Sequence, residues 1–318
     1  MKKTLTATLT LTSLLAGISQ TSAHWTSARP DGHAPIGVMG DHQHKKGDWM
    51  ASYRYMDMEM EGMDSAPGYM MYPTDMDMEM HMLGLMFASS DKLTWLLMAN
   101  HQDKAMDMSN GSSMHSKGWG DVSFGGMYNL GSWGEETIFA TLGLGLPTGS
   151  TDEKSSAGAQ LPYGMQLGSG TWDIRPGITY LGQTELYSWG AQVSGIFRTG
   201  DNDQGYQLGS VFEGKAWIAR KLSDSLSVSA RITLQNVGGI DGSDKDIAKD
   251  YANPMSMSPT LNPDNYGNKS LYGALGLNYL FKNGHRVALE YQRPIDENLD
   301  GLQMKQDGSL ILGWQYAW

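Results

Sequence analysis

From Trp49 to Trp318 apolar residues alternate with small or polar ones, and clusters of Gly, Asn, Asp, Ser and Pro interrupt the runs. A period of two is the mark of strands, and nothing in this region sustains the 3.6-residue period of an amphipathic helix. Twelve strands are predicted, over 48–60, 76–88, 92–102, 118–130, 136–147, 170–181, 187–199, 206–220, 225–237, 269–281, 285–293 and 308–318. Their connections alternate in length: 89–91, 131–135, 182–186, 221–224 and 282–284 are short, whereas 61–75, 103–117, 148–169, 238–268 and 294–307 are long. Short turns at one end and long loops at the other are the layout of an all-β, antiparallel transmembrane barrel of the bacterial outer membrane, with both chain ends on the periplasmic side.

The two faces of each strand support that reading. Over 226–235, Leu226, Val228, Ala230, Ile232 and Leu234 share one face, and Ser227, Ser229, Arg231, Thr233 and Gln235 the other. Over 271–281, Leu275, Leu277, Tyr279 and Phe281 oppose Ala274, Gly276 and Asn278. An apolar exterior around a polar interior inverts a soluble protein and suits lipid outside and water inside. The strand at 206–220 is less regular, because Glu213, Lys215 and Trp217 share a face. The last strand carries Leu310, Leu312, Trp314, Tyr316 and Trp318 on one face, with Gly313 five residues before its aromatic end. It looks like the terminal signal read by the outer-membrane assembly machinery, except that Ile311 stands where a polar residue is usual.

Composition narrows the class further. Among 318 residues there are 40 Gly and 18% charged residues. After the first 20 residues there is no apolar run of about 18, so a bundle of transmembrane helices is excluded. The absence of cysteine rules out a disulfide, a thiolate metal site, a thiol nucleophile and a lipoprotein anchor. A formal net charge of −11 argues against nucleic acid as a partner. Lys2 and Lys3, an apolar stretch and Thr21-Ser22-Ala23 read as a secretory signal of a Gram-negative host, cleaved after Ala23, with Ala28 as the second candidate. The predicted organisation is a signal peptide, 1–23, a histidine-containing segment, 24–47, able to plug the lumen, and the barrel, 48–318.

Several motifs then resemble one family. GWGD at 118–121, LPTGS at 146–150, LGSGTWDIRPGITY at 167–180 and EYQRPIDENLDGLQ at 290–303 are similar to the outer-membrane family named for the meta-cleavage pathway of phenol degradation. The resemblance runs from about residue 47 to the C-terminus and implies a barrel and solute passage, without naming the solute. APIGVMGDHQHKKGDWMASYRYM at 34–56 resembles a branch of that family often found near metal-handling genes, and brings no set of ligand residues with it.

Methionine is the compositional anomaly, and it is localised: sixteen of the 23 lie between residues 50 and 114. By parity Met56, Met58 and Met60 on the first strand, and Met76, Met78, Met80 and Met82 on the second, point into the barrel. Met106, Met108, Met114 and His115 are placed by the predicted loop 103–117 near the same rim. An M-x-M step separates two positions by about 7 Å along a strand, and adjacent strands lie about 4.8 Å apart. Flexible thioether side chains can thus converge, and their neutral, soft sulfur suits Cu(I) or Ag(I). The same face also fits an apolar solute path, simple packing, or scavenging of oxidants. The interleaved Asp57, Glu59, Asp75, Asp77 and Glu79 face outward and are tolerable only above the hydrocarbon, solvated, drawing cations, or bridging lipopolysaccharide through divalent ions.

His24, His33, His42 and His44 precede the first strand, and His42-Gln43-His44 beside Asp41 is a candidate site for Cu(II) or Zn(II). Arg54, Asp121, Asp173, Arg175, Arg198, Arg231 and Glu290 fall on inward faces, where they either pair across a narrow lumen or form an electrostatic filter. No G-x-S-x-G or H-E-x-x-H is present, GLGLPTGS lacks the lysine of a phosphate loop, and DGSDKD at 241–246 lacks the sixth-position glycine of a calcium loop. No enzyme is predicted. The reading is an outer-membrane channel with a methionine-rich mouth that passes or sequesters soft cations, with no required cofactor. Its partners are outer-membrane lipid, lipopolysaccharide and the assembly machinery, and no oligomeric state is set. The alternatives are a channel for small hydrophobic or aromatic compounds and a structural surface protein.

Overall fold

The computed structural model describes residues 26–251 and 253–318; the predicted signal peptide and His24 lie outside the described residues. The wall is built from β1 (Trp49–Glu61), β2 (Pro73–Ser90), β3 (Leu93–Met108), β4 (Ser113–Trp119), β5 (Val122–Trp133), β6 (Glu136–Leu146), β7 (Trp172–Gln183) and β8 (Tyr187–Thr199). It continues through β10 (Val211–Lys221), β11 (Leu226–Val237), β13 (Asn268–Leu280), β14 (Arg286–Leu299) and β15 (Lys305–Ala317). The two-residue strands β9 (Tyr206–Gln207) and β12 (Asp241–Gly242) pair with each other in the outer loops. Neighbours are antiparallel, and β15 pairs with β1 to close the ring. β4 pairs with the outer half of β3 and β5 with its periplasmic half, so the two form one wall strand broken at Gly120 and Asp121. The barrel therefore has twelve wall strands.

Several predicted boundaries are corrected. The predicted loop 103–117 is almost all strand: β3 continues to Met108, β4 starts at Ser113, and only Ser109–Ser112 turn. Period two persists there because polar side chains are allowed on the outer face once the strands leave the hydrocarbon. The strand predicted from 206 starts at Val211. β14 runs past Pro294 to Leu299 because the register shifts there, and a bulge tolerates the missing proline N–H.

Alternation sorts the faces as expected. Leu83, Leu97, Phe124, Leu142, Ile178, Ile232, Leu234 and Leu275 are exposed on the outside, while Ser227, Ser229, Arg231, Thr233 and Asn278 are buried inside. At the outer end, the outward row His81, His101 and Trp119 is in register across β2, β3 and β4. Asp57, Glu79 and Asp103 follow one step further out.

Residues 26–47 lie inside the ring, held by inward side chains from several walls. Ser227 donates to the Pro30 carbonyl at 2.9 Å, Arg286 to the Pro30 and Arg29 carbonyls at 2.7 Å each, and Arg54 to the Ile36 carbonyl at 3.0 Å. Gln192 donates to the Met39 carbonyl at 3.0 Å from the opposite side. A segment with no strand neighbours has its carbonyls satisfied in this way rather than by a ladder. Ala34 and Val38 pack with Met50, Met86, Met127, Phe139, Leu181 and Trp217, so Trp217 on the irregular strand is an inward apolar contact. Ile36 packs on Ile311 and Ala288, which accounts for an isoleucine where the terminal strand pattern calls for a polar residue.

Candidate functional site

The strand register brings methionines face to face. Met56 stands opposite Met80, Met58 opposite Met78 and Met60 opposite Met76 across β1 and β2. Met76 is in turn opposite Met106 on β3, and Met106 opposite Met114 on β4. One tier near the outer rim therefore carries Met60, Met76, Met106 and Met114 on four successive strands, each pair about 4.8 Å apart in backbone.

The next two tiers change character on β3. There Lys104 faces Met78 and Gln102 faces Met80. Lys104 Nζ donates to the carbonyls of Gly164 at 3.0 Å and Gln166 at 2.7 Å, and Ser116 Oγ donates to the Met165 carbonyl at 2.6 Å. These bonds draw the outer loop after β6 over the mouth and set Leu161 and Met165 against the methionine tier. Leu161, Met76, Met106, Met108 and Met165 form one buried cluster, with Met60, Met71, Met114 and Met304 packed against it.

A cavity of about 200 Å³ remains under this roof, lined by Met58, Met60, Met76, Met78 and Met106 from the wall and Met165 and Met304 from the loops. Pro162, Pro259, Tyr266 and Leu302 complete much of the rest. No charged side chain lines it among the described residues. The Tyr266 hydroxyl donates to the Thr260 carbonyl at 2.8 Å, and burial pushes its phenol above the ordinary range, so it stays neutral. Such a chamber offers seven thioethers and little that replaces the hydration shell of a hard cation.

The predicted residues divide accordingly. Met108 and Met114 pack behind the cavity, Met56 packs toward Ile36 and Ile311, and Met82 lines a different, deeper cavity. His115 does not join the methionines: it faces outward, 2.6 Å from Asp103, because it is one residue out of phase with Met114. Met165 and Met304 escape sequence reasoning, since loop positions carry no periodicity. His42 and His44 lie in the lumenal segment, away from the vestibule. Burial, with the charge of Arg286, pushes the His33 imidazole well below its ordinary range, and burial with His42 pushes His44 down to about 3.

The inward charges are paired or hold main chain. Arg231 is paired with Glu290 and bonds Gln292 at 2.9 Å. Asp173 receives Arg198 and lies 3.5 Å from Arg175. Asp121 accepts from the amides of Gly149 at 2.9 Å and Ser169 at 2.8 Å, fastening the same outer loop. Beside Arg175 the β7 ladder skips: Ile174 pairs with Phe197 and Gly177 with Ser194 on β8, leaving Arg175 and Pro176 without partners there. The deeper cavity, about 310 Å³, opens at this gap and is lined by inward Met82, Gln192 and Lys215 and by outward Phe124 and Pro176.

Residues 94–298 match the protein family described as "Putative MetA-pathway of phenol degradation". No curated protein matches the chain. Among solved structures, an outer membrane channel from Pseudomonas putida F1 is 15% identical with a TM-score of 0.64, covering 88% of this chain and 99% of that one. The translocator domain of the autotransporter NalP from Neisseria meningitidis is 13% identical with a TM-score of 0.45, covering 86% and 89%. The first of these likenesses shows a shared fold, that of an outer-membrane barrel.

Proposed function

The chain belongs to the MetA-pathway phenol-degradation family of outer-membrane barrels, and from that premise we propose that it is a channel whose methionine-lined vestibule captures soft monovalent metal ions, copper(I) or silver(I), at its outer end. One observation carries the reading: seven methionines from three strands and two loops line one cavity that no charged side chain of the described residues enters. Packing alone needs apolar side chains there, and Leu or Ile would meet that need. Thioether is the one apolar-compatible group that also binds soft cations without losing a proton, so the site needs no pH adjustment in an oxidising compartment. The rows of carboxylates outside the same strands raise the local cation concentration at the mouth.

The test is silver(I) titration of the refolded barrel against a variant with Met58, Met60, Met76, Met78 and Met106 changed to Leu. These swaps keep volume and cost under about 1.5 kcal/mol each. Silver binding is expected in the parent and its loss in the variant; equal binding by both overturns the reading. A second reading, passage of small hydrophobic or aromatic compounds, is favoured by the deeper cavity, which joins lumen and outer face at the ladder gap beside Pro176. Flux of an aromatic solute into liposomes, unchanged by the five Leu substitutions and abolished by filling the gap with Gly177→Trp, supports that second reading instead.

A further inference from the structure

The lumenal segment folds back on itself between Pro35 and Asp41. Val38 donates to the Pro35 carbonyl at 2.9 Å, Gly40 takes a φ of 59°, and the Ala34 amide donates to Asp41 Oδ2 at 2.8 Å. This turn brings His33 against His42, with ring centroids 3.8 Å apart, and sets His44 on the other side of His42 at 4.7 Å. Ligand atoms of His33, Asp41 and His42 all lie within 4.8 Å of one another, and all three residues are buried.

This cluster is not satisfied as a hydrogen-bonded core. The Nε2 atoms of His42 and His44 have no hydrogen-bond partner, although His42 is wholly buried, and His42 Nδ1 meets only Asp41 Oδ1, at 3.1 Å. A buried imidazole nitrogen left without a partner is costly, and two of them side by side, next to a carboxylate, are a donor set that a ligand would satisfy. His33 is already oriented for one: its Nδ1 meets Gln315 Oε1 at 3.0 Å, an acceptor that fixes the proton on Nδ1 and leaves the Nε2 lone pair free.

We propose that His33, Asp41 and His42, with His44 as a fourth donor in reach, form a binding site for a borderline divalent transition ion, Cu(II) or Zn(II), which staples the lumenal turn shut. Imidazole nitrogen and one carboxylate are the donor set of such ions, whereas Mg(II) and Ca(II) demand more oxygen. Arg54 and Arg286 approach this tier and oppose a divalent charge; each is held by main-chain carbonyls of the segment. The affinity therefore rests on coordinate bonds to nitrogen rather than on charge, which places Cu(II) first in the Irving–Williams order. Access comes from the periplasmic end, where a cavity of about 460 Å³ is lined by His33, His44, Arg286 and Gln315. The site is chemically and spatially separate from the methionine vestibule, and stands or falls without it.

The experiment is electron paramagnetic resonance of the refolded, chelator-treated barrel with a single equivalent of Cu(II). Expected is a spectrum with superhyperfine splitting from at least two imidazole nitrogens, lost in His42→Ala and weakened about tenfold or more in His33→Ala and Asp41→Asn. The same signal is expected to survive in His81→Ala, His101→Ala and the five-Leu vestibule variant. Heat-modifiable migration in gels confirms that each variant is a folded barrel. A parent spectrum without nitrogen splitting overturns the proposal, as does a folded His42→Ala barrel that binds Cu(II) as tightly as the parent.

Discussion

At the scale of the residue, the lumenal segment is fitted by what is missing. A side chain at Gly37 runs into the paired Arg231 and Glu290, and one at Gly313 runs into Ile36. Both glycines are therefore demanded by close approach and not by backbone angle, and the collision at Gly37 does not yield easily because the Arg231 and Glu290 side chains are buried and mutually bonded. Gly37→Val is expected to unseat the turn while leaving the barrel intact. Amide hydrogen exchange over residues 32–41 should rise by several orders of magnitude, with heat-modifiable migration unchanged; retained protection in the variant contradicts the fit. The methionines illustrate the converse. Met58 and Met60 are legible from alternation alone, whereas Met165 reaches the same cavity through a loop whose course is set by Lys104, Ser116 and Asp121 bonding to main chain, and Met304 through one tied to Asn265 and Gly267.

At the scale of the element, β1 and β2 carry an electrostatic cost. Asp57 stands across from Glu79, Glu59 from Asp77 and Glu61 from Asp75, like charges in direct register on the outer face. Each such pair opposes the hairpin by about 0.2–1 kcal/mol. The row one step inward, Tyr55 and His81, marks where the hydrocarbon gives way to polar surroundings. Glu79→Gln is expected to stabilise the barrel against urea by about 0.5 kcal/mol at low salt, and the gain should vanish near 1 M salt, where the Debye length falls to about 3 Å. A salt-independent effect would mean that packing, not charge, governs this face. Face assignment was readable throughout because lipid and lumen force opposite choices at successive positions. Strand ends were not, since beyond the membrane that choice relaxes: Asp103 to Met108 read as loop yet keep the ladder, and Pro294 read as a stop yet sits at a bulge.

At the scale of the whole molecule, two barriers lie in series along the lumen: the loop roof with its methionines, and the segment 26–47 packed on the Arg231–Glu290 pair. The segment touches β1, β8, β11 and β14 and so crosses the bore. Deleting residues 26–47 is expected to raise single-channel conductance in planar bilayers several-fold, and an unchanged conductance assigns the narrowest point to the roof instead.

The same segment also bears on how the ring closes. Its partners are spread along the chain, from Arg54 to Arg286 and Ile311, so a segment that precedes every wall strand is among the last to find all its contacts. The seam between β1 and β15 joins positions as distant as Met50 and Ala317, and such long-range pairing is slow. Ile36 bonds one seam strand through its carbonyl to Arg54 and packs its side chain on Ile311 of the other. Joined to both seam strands by one residue, the segment is expected to seat as the seam closes, so that seam formation and lumen filling read out as a single kinetic phase.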